Sequence, residues 1–568
     1  VSRREAWVSA GAVFALALAV RIVAAAAISF PVPENTAYYA GVARNLAEGR
    51  GLISDALWSY QTQPLVVPRA AFEVWLPLPS LLAYLPTLLA GSANWFRAAQ
   101  VVPVLAGSVA AILAWRIGAD VAAEMQLPIG RARTLGIGTG LVAAALGPLV
   151  LYSALPDSTA LFAAFSLGAC LLMTRVAARE SAPDRSGTDR AGVAAAAAGT
   201  RASVTASVLD PQLLGLGLVL ALAALTRSEA VWLGLAWAAI VWFWIPGSRR
   251  HRTLLIVAPA VVAALIYAPW AIRDWLVFGN PLPGQAINNA LYLHDYDIFA
   301  YQDQPTLARF LGQGPVALAG IYLTGIAHDL FQVLVVPALP VSVVGLLALP
   351  WAGRRRALRP LLMVSTITFV TTSLLFPVAT VSGTYLHASG AAYVLLALGC
   401  LLAFDALIVR IGRVRRWTRP VAWIGPACAL AAILPLSVIT VGGMARQADD
   451  VRNRYEALTA AMDRAGLPLS GAGPIITDNP IWLAEAARVP AIALPEESPE
   501  AVLAVARRFD AELLIVKSDG RGPWPEILGR GGPSAQCFKK VPLTDSSGGE
   551  PVEGSPLAQI RVFRIDCP

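Results

Sequence analysis

About ten to eleven apolar runs, each close to bilayer length, alternate with loops whose arginines fall repeatedly on the same side. Runs of roughly 18 or more apolar residues read as membrane-spanning helices, and short Lys/Arg-rich loops stay on the cytoplasmic face. Soluble architectures are therefore excluded. Only 14% of the residues are charged and 57% are hydrophobic, against about 25% charged in ordinary soluble domains. The net charge of +8 lies mostly in short inter-span loops, so the arginines set topology and do not form a nucleic-acid surface.

Arg3 and Arg4 precede an apolar run over 7–28, too long for a signal-peptide core, so it reads as a retained first span. An outer loop over 30–94 follows, with short helical patterns at 38–48 and 78–89; the second is too short to cross and suits the interface. Spans are then expected near 96–114, 135–152 and 159–174, with the tight outer turn 153–158 between the last two. The stretch 175–210, rich in Ala, Ser, Gly and Asp, reads as a flexible inner loop. A hairpin over 213–225 and 230–244 carries Thr226-Arg227-Ser228-Glu229 at its tip. Span 254–270 opens into a second long outer loop, about 271–329. Spans at 330–351, 361–376, 388–409 and 421–441 complete the membrane region, 1–441. Arg354 to Arg356 and the five arginines between 410 and 419 mark inner turns.

The tail, 442–568, changes character. Helical and strand-like stretches alternate (helix 447–465, strand 474–477, helix from 481, strand 491–494, helix from 499, strand 513–516), which predicts a small α/β domain with a partly parallel sheet. Ser498-Pro499-Glu500 is a sound helix start. No Gly-rich phosphate loop precedes a helix. Cys170, Cys400 and Cys428 lie in apolar runs as core residues. Cys537 and Cys567 lie in the tail, where an extracytoplasmic location makes a disulfide between them plausible. The expected fold class is a mainly α polytopic bundle of about eleven spans with this extracytoplasmic α/β domain. The expected location is the bacterial cytoplasmic membrane with the N-terminus inside.

Ionisable residues near span ends are the candidates for chemistry, because burying them in a membrane is costly unless they face a cavity or a partner. Glu34 and Asn35 directly follow span one in Pro33-Glu34-Asn35-Thr36-Ala37-Tyr38-Tyr39, ahead of Ala43-Arg44 and Gly49-Arg50-Gly51. With Leu225-Thr226-Arg227-Ser228-Glu229 and Ala268-Pro269-Trp270-Ala271-Ile272-Arg273-Asp274, this order resembles the GT-C superfamily of integral membrane glycosyltransferases. The protein O-mannosyltransferase and lipid A aminoarabinose transferase group is the nearer likeness, over about 1–401. The resemblance implies a GT-C-like fold and inverting transfer from a polyprenyl-phosphate-linked sugar donor. It also implies a catalytic acid just after span one and a second in the 153–158 turn. Spacing from Tyr39 puts the first acid at Asn35, which cannot take a proton; spacing from Tyr38 puts it at Glu34.

Glu34 is accordingly read as the general base or as a cap on the following helix, and Asp157 as the second acid or as the cap of span four. Asp55 and Glu73 sit among aromatic residues and suit either sugar contact or an aromatic interfacial loop. Arg227 and Arg273 stand at outer span ends, where a guanidinium could hold a lipid phosphate or pair with Glu229 and Asp274. Asn35, Tyr39 and Glu229 join the expected substrate-binding set. His387 is a phosphate contact or a structural histidine. His294, Asp295 and Asp297 make only a weak metal pattern. The leaving phosphate would be stabilised by arginines, with or without a divalent cation (Mg or Mn). The expected partners are the lipid donor, membrane lipid and a glycan, lipid or protein acceptor, with no nucleic acid. A lipid or amphipathic-solute transporter or flippase, and a catalytically silent scaffold, stand as the alternative readings.

Overall fold

The computed structural model describes residues 3–91, 93–181, 210–283, 286–417, 421–517, 534–545 and 548–567. The protein is an integral membrane protein with multiple spans. Among the described residues, eight helices are long and apolar enough to cross a membrane: Arg4–Ala27, Trp95–Glu124, Thr159–Glu180, Arg249–Phe278, Gly314–Leu334, Arg356–Leu375, Gly390–Val414 and Ile424–Arg464. Four shorter apolar helices, Leu78–Ala90, Pro211–Ala224, Ala230–Trp244 and Leu339–Ala352, accompany them. Most of the expected 175–210 loop lies outside the described residues.

Local chemistry sets several ends. Asp210 caps the Pro211–Ala224 helix through Gln212 N–H and pairs with Arg179 at 2.7 Å, which explains how so short a span carries an acid at its edge. Ser248 caps Arg249–Phe278, and Gly279 ends that helix with φ 71° in the left-handed region. Small residues let helices close. A Cβ on Gly345 would stand 2.1 Å from the Leu396 carbonyl oxygen, so only glycine permits the contact between Leu339–Ala352 and Gly390–Val414.

The expected span 330–351 is not one helix. Pro337 interrupts it, Ala338 takes φ 114°, and Pro340 starts a new helix in its first turn. Upstream, Gly314–Leu334 is a helix of its own. Its Asp329 accepts hydrogen bonds from Thr372 (3.1 Å), Ser373 (2.7 Å) and Thr380 (2.6 Å), at the end of Arg359–Leu375 that lies away from the arginines 354–356. The C-terminal turn of Gly314–Leu334 therefore sits at that end, and Leu339–Ala352 carries the chain back toward the arginines.

The boundary expected at 441/442 falls inside a single 41-residue helix, Ile424–Arg464, about 60 Å long. It rises from the bundle into the tail domain. There a six-stranded mixed sheet has the order Ala56–Leu57, Ala491–Ala493, Ile475–Thr477, Leu513–Lys517, Ile560–Ile565, Phe538–Val541. The first four strands are parallel, Ile560–Ile565 runs antiparallel to Leu513–Lys517, and Phe538–Val541 runs antiparallel to Ile560–Ile565. Its edge strand comes from the first long loop, with Ala56 opposite Ala491, so loop and tail form one sheet. Cys537 and Cys567 are joined as a disulfide, Cα–Cα 4.8 Å. Cys170 and Cys400 are buried, whereas Cys428 is exposed.

Candidate active site

The Glu34–Ala47 helix organises the end of the bundle that faces the tail, and its sides have separate duties. Tyr39 points to the 153–158 turn and Tyr38 to the aromatic loop around Glu73. Glu34 and Arg44 point to the tail domain.

On the first side, Asp157 is 1% exposed and its carboxylate accepts from Thr159 N–H (2.8 Å) and Thr159 Oγ1 (3.1 Å). It thus binds the first N–H of the Thr159–Glu180 helix from the residue before Ser158, the helix's N-cap. Thr159 Oγ1 lies 2.6 Å from His387 Nδ1, and Asp157 Oδ2 is 3.9 Å from the same nitrogen. With the Thr159 hydrogen donated to Asp157, Nδ1–H of His387 is the donor to Thr159. Burial pushes the Asp157 carboxyl up to about 7, against the Thr159 bonds and the Arg227 charge that pull it down. Burial, helped by the Arg227 charge, pushes His387 down to about 3, so the imidazole is neutral and the 3.9 Å contact is not an ion pair.

Arg227 donates through Nη1 to Ser158 Oγ (2.9 Å) and through Nη2 to Glu229 Oε1 (2.5 Å). Its buried Nε–H has no hydrogen-bond partner among the described residues. Tyr39 hydrogen-bonds Ser158 and senses the charges of Arg227 and Asp157, while burial raises its phenol well above the usual range. Tyr152 meets the His387 ring edge-on at 5.1 Å. Thus Asp157, Arg227, Glu229, Tyr39 and His387, expected from sequence as separate candidates, form one buried constellation.

Three residues outside the sequence-derived candidates complete it. Ser158 and Thr159 link its members. Arg21, fully buried in the first span, donates to Ser153 Oγ (3.2 Å) and to the carbonyls of Ala17 (3.1 Å), Ala144 (3.2 Å) and Ala143 (3.4 Å), fixing the start of the turn. An arginine within an apolar run was the available signal.

On the second side, Glu73 pairs with Arg69 at 3.4 Å, both nearly inaccessible, and one Glu73 oxygen has no hydrogen-bond partner among the described residues. Burial raises this carboxyl, while Arg69 and, more weakly, Arg273 lower it. Tyr38 accepts from Phe72 N–H at 2.6 Å, and Trp75 lies tilted between Tyr38 and Trp58, with centroids 4.5 Å from each. Arg273 lies over Trp270 (4.8 Å) and Phe278 (5.2 Å) and pairs with Asp274 at 2.7 Å.

The remaining candidates are placed elsewhere. Glu34, 6% exposed, accepts from Ile481 N–H (3.2 Å), the first turn of the Pro480–Ala487 helix in the tail. It thus serves a helix start other than its own. Asn35 accepts the N–H of Thr36. Asp55 is bound by Arg50 (2.5 and 2.9 Å) and Asn45 (3.1 Å), which hold its carboxyl low; it is a loop anchor rather than part of the constellation. Asp297 receives Arg309 and the N–H groups of Leu293 and His294. No group of three or more His, Cys, Asp or Glu side chains among the described residues could hold a metal ion.

No family model and no curated protein matches the sequence. Solved structures do. ArnT from Cupriavidus metallidurans in the apo state matches with TM-score 0.51 and 14% identity over 100% of both chains. The same protein bound to undecaprenyl phosphate matches with TM-score 0.52 and 12% identity over 99% of each. The Archaeoglobus fulgidus oligosaccharyltransferase in the apo form gives TM-score 0.54 and 13% identity, over 100% of this chain and 77% of that one. Identities this low speak to architecture alone, and the chain shares the fold of these ArnT and oligosaccharyltransferase structures.

Proposed function

We propose that the protein is an inverting glycosyltransferase that moves a sugar from a polyprenyl-phosphate carrier to an acceptor at the membrane face bearing the tail domain. The observation that carries this reading is the Asp157–Arg227 constellation: a buried carboxyl near neutrality beside a buried guanidinium with an unused N–H. The fold shared with ArnT, crystallised with undecaprenyl phosphate, supports the choice of donor. The charge rule assigns this face to the outside, where nucleotide sugars are absent and a lipid-borne donor is needed.

In this reading the acceptor hydroxyl attacks the anomeric carbon from the side opposite phosphate. The new O–C bond forms as the sugar–phosphate C–O bond breaks, and the electron pair leaves with polyprenyl phosphate. Asp157 takes the hydroxyl proton, a contribution typically worth about 10²–10⁴-fold. A carboxyl poised at about 7 is half-ionised at neutral pH, which suits that task. Arg227 meets the leaving phosphate through Nε–H and, by releasing Ser158 or Glu229, through a second N–H. His387 and Thr159 orient the base. Glu34 is left to anchor the tail, and Asn35 has no group that could accept the proton.

Purified protein in lipid nanodiscs, given a panel of radiolabelled polyprenyl-phosphate pentoses and hexoses with extracted envelope acceptors, tests the reading. The expected result is acceptor labelling with release of polyprenyl phosphate. Intact donors, together with solute movement into sealed vesicles, would replace it with transport.

A further inference from the structure

A second feature lies outside the constellation. A cavity of about 740 Å³ opens where the bundle meets the tail, bounded by Ser29–Pro31 after the first span, 93–97 at the start of the second, the 452–463 face of the long helix, and Glu485. Its volume falls within the roughly 300–1,000 Å³ usual for ligand sites. Residues 452, 455, 456, 459, 460 and 463 repeat at helical spacing, so one wall is a continuous strip about 17 Å long. That length suits an extended chain rather than a single small molecule.

The wall chemistry narrows the class. Arg97 and Arg452 stand against Glu456 and Asp463, and Glu485 is matched by its buried ion pair with Arg44. Formal charge therefore cancels, and Arg452 is already shared with Asp449 (3.3 Å) and Glu456 (3.9 Å). A phosphate headgroup would find no cationic surplus here. Trp95 lines the cavity and is backed by the Arg44 guanidinium at 4.7 Å from its ring, so its indole is held in place before any ligand arrives. A rigid aromatic face among uncharged-on-balance hydrogen-bonding groups fits polyhydroxylated rings, which offer both C–H faces and hydroxyls.

One wall of the groove is tied to the reacting end through buried Gln100. Arg97 donates to Gln100 Oε1 (3.1 Å), and Gln100 donates to the Ala154 carbonyl (2.8 Å) in the turn that carries Asp157. We propose that this groove binds a neutral, extended glycan as the acceptor; the acceptor role rests on the transferase reading, the binding itself does not.

The test uses full-length protein in nanodiscs and fluorescently tagged neutral oligosaccharides released from the native cell envelope. Ala460→Trp places a large ring in the groove from an exposed position, and Trp95→Ala removes the platform. Wild type is expected to bind the tagged glycans, both variants to bind at least tenfold more weakly, and Ala460→Trp to raise the acceptor KM at least tenfold. Gel filtration checks that each variant is folded. Failure of wild type to bind any neutral oligosaccharide, capture of envelope peptides or lipids instead, or wild-type affinity in Ala460→Trp would overturn the proposal. Glycan binding that both variants weaken, by a protein that cleaves no lipid-linked donor, would overturn the transferase reading and leave the groove a glycan site.

Discussion

Replacing Asp157 by Asn should stabilise the protein while disabling it. The carboxyl moves from an ordinary value of 3.8 to about 7 on folding because burial penalises its charge. Its folded state therefore holds the proton more tightly than its unfolded state. Ionisation costs nothing below about pH 4, costs progressively more between pH 4 and 7, and reaches its full cost above 7. About three pKa units at 1.36 kcal/mol each give up to about 4 kcal/mol. His387, neutral in the fold across this window, does not screen the Asp157 charge; its own depressed value lowers stability below about pH 6.5 in wild type and variant alike and cancels in their difference. Asn retains the local bonds: its carbonyl can accept Thr159 N–H, and its amide can donate to Thr159 Oγ1. Thermal unfolding in detergent micelles at pH 4.5 and pH 8 reads the effect. The variant should unfold within a degree of wild type at the lower pH and several degrees above it at the higher. A gap that does not widen with pH would refute the argument that a buried charge is maintained there for function.

Transfer by wild type should rise about tenfold per pH unit up to about pH 7 and then level, since the base works only when ionised; a flat profile between pH 5 and 8 counts against Asp157. Arg227→Lys keeps the charge but loses the fork that reaches Ser158 and Glu229 together, so kcat should fall roughly 100-fold, read in single-turnover donor cleavage. Glu485→Ala leaves the Arg44 guanidinium, 3% exposed, with the looser Glu48 contact at 3.9 Å, at a cost of up to about 3–5 kcal/mol; limited proteolysis should then release the tail domain well before the bundle is cut.

The bundle and tail were legible because membrane burial and sheet pairing leave regular traces. Apolar runs of bilayer length mark most spans, and the tail strands at 475–477, 491–493 and 513–517 lie within a residue or so of the apolar stretches that announce them. The miss at 330–351 has a local cause. Apolarity continues through Val335 and Val336, while Pro337 and Pro340 divide the helix without interrupting hydropathy. The boundary at 441 was misplaced for the converse reason, since composition changes there while helical geometry does not. Two-residue pairing of Ala56–Leu57 with the tail sheet has no sequence signature at all.

The site divides along the same line. Asp157, Arg227 and His387 stood out as polar groups at span ends, but only the fold brings residues 157, 227 and 387 within contact. Glu34 was legible as a helix-start acid, and it does act at a helix start. That helix lies 447 positions away in the chain, a pairing that spacing within one segment cannot reveal. Ser158 was seen only as the end of a turn and Thr159 only as the start of a span, because a hydroxyl's part in a network depends on partners supplied by other helices.

The central claim is that the proton leaves the acceptor through the carboxyl in the 153–158 turn and not through the one following the first span. Comparing Asp157→Asn with Glu34→Gln in a single-turnover assay, using the labelled lipid donor that wild type accepts, addresses it directly. The account requires Asp157→Asn to be slowed by at least 100-fold and folded Glu34→Gln to stay within about threefold of wild type. The reverse ordering, or full activity in Asp157→Asn, would contradict it.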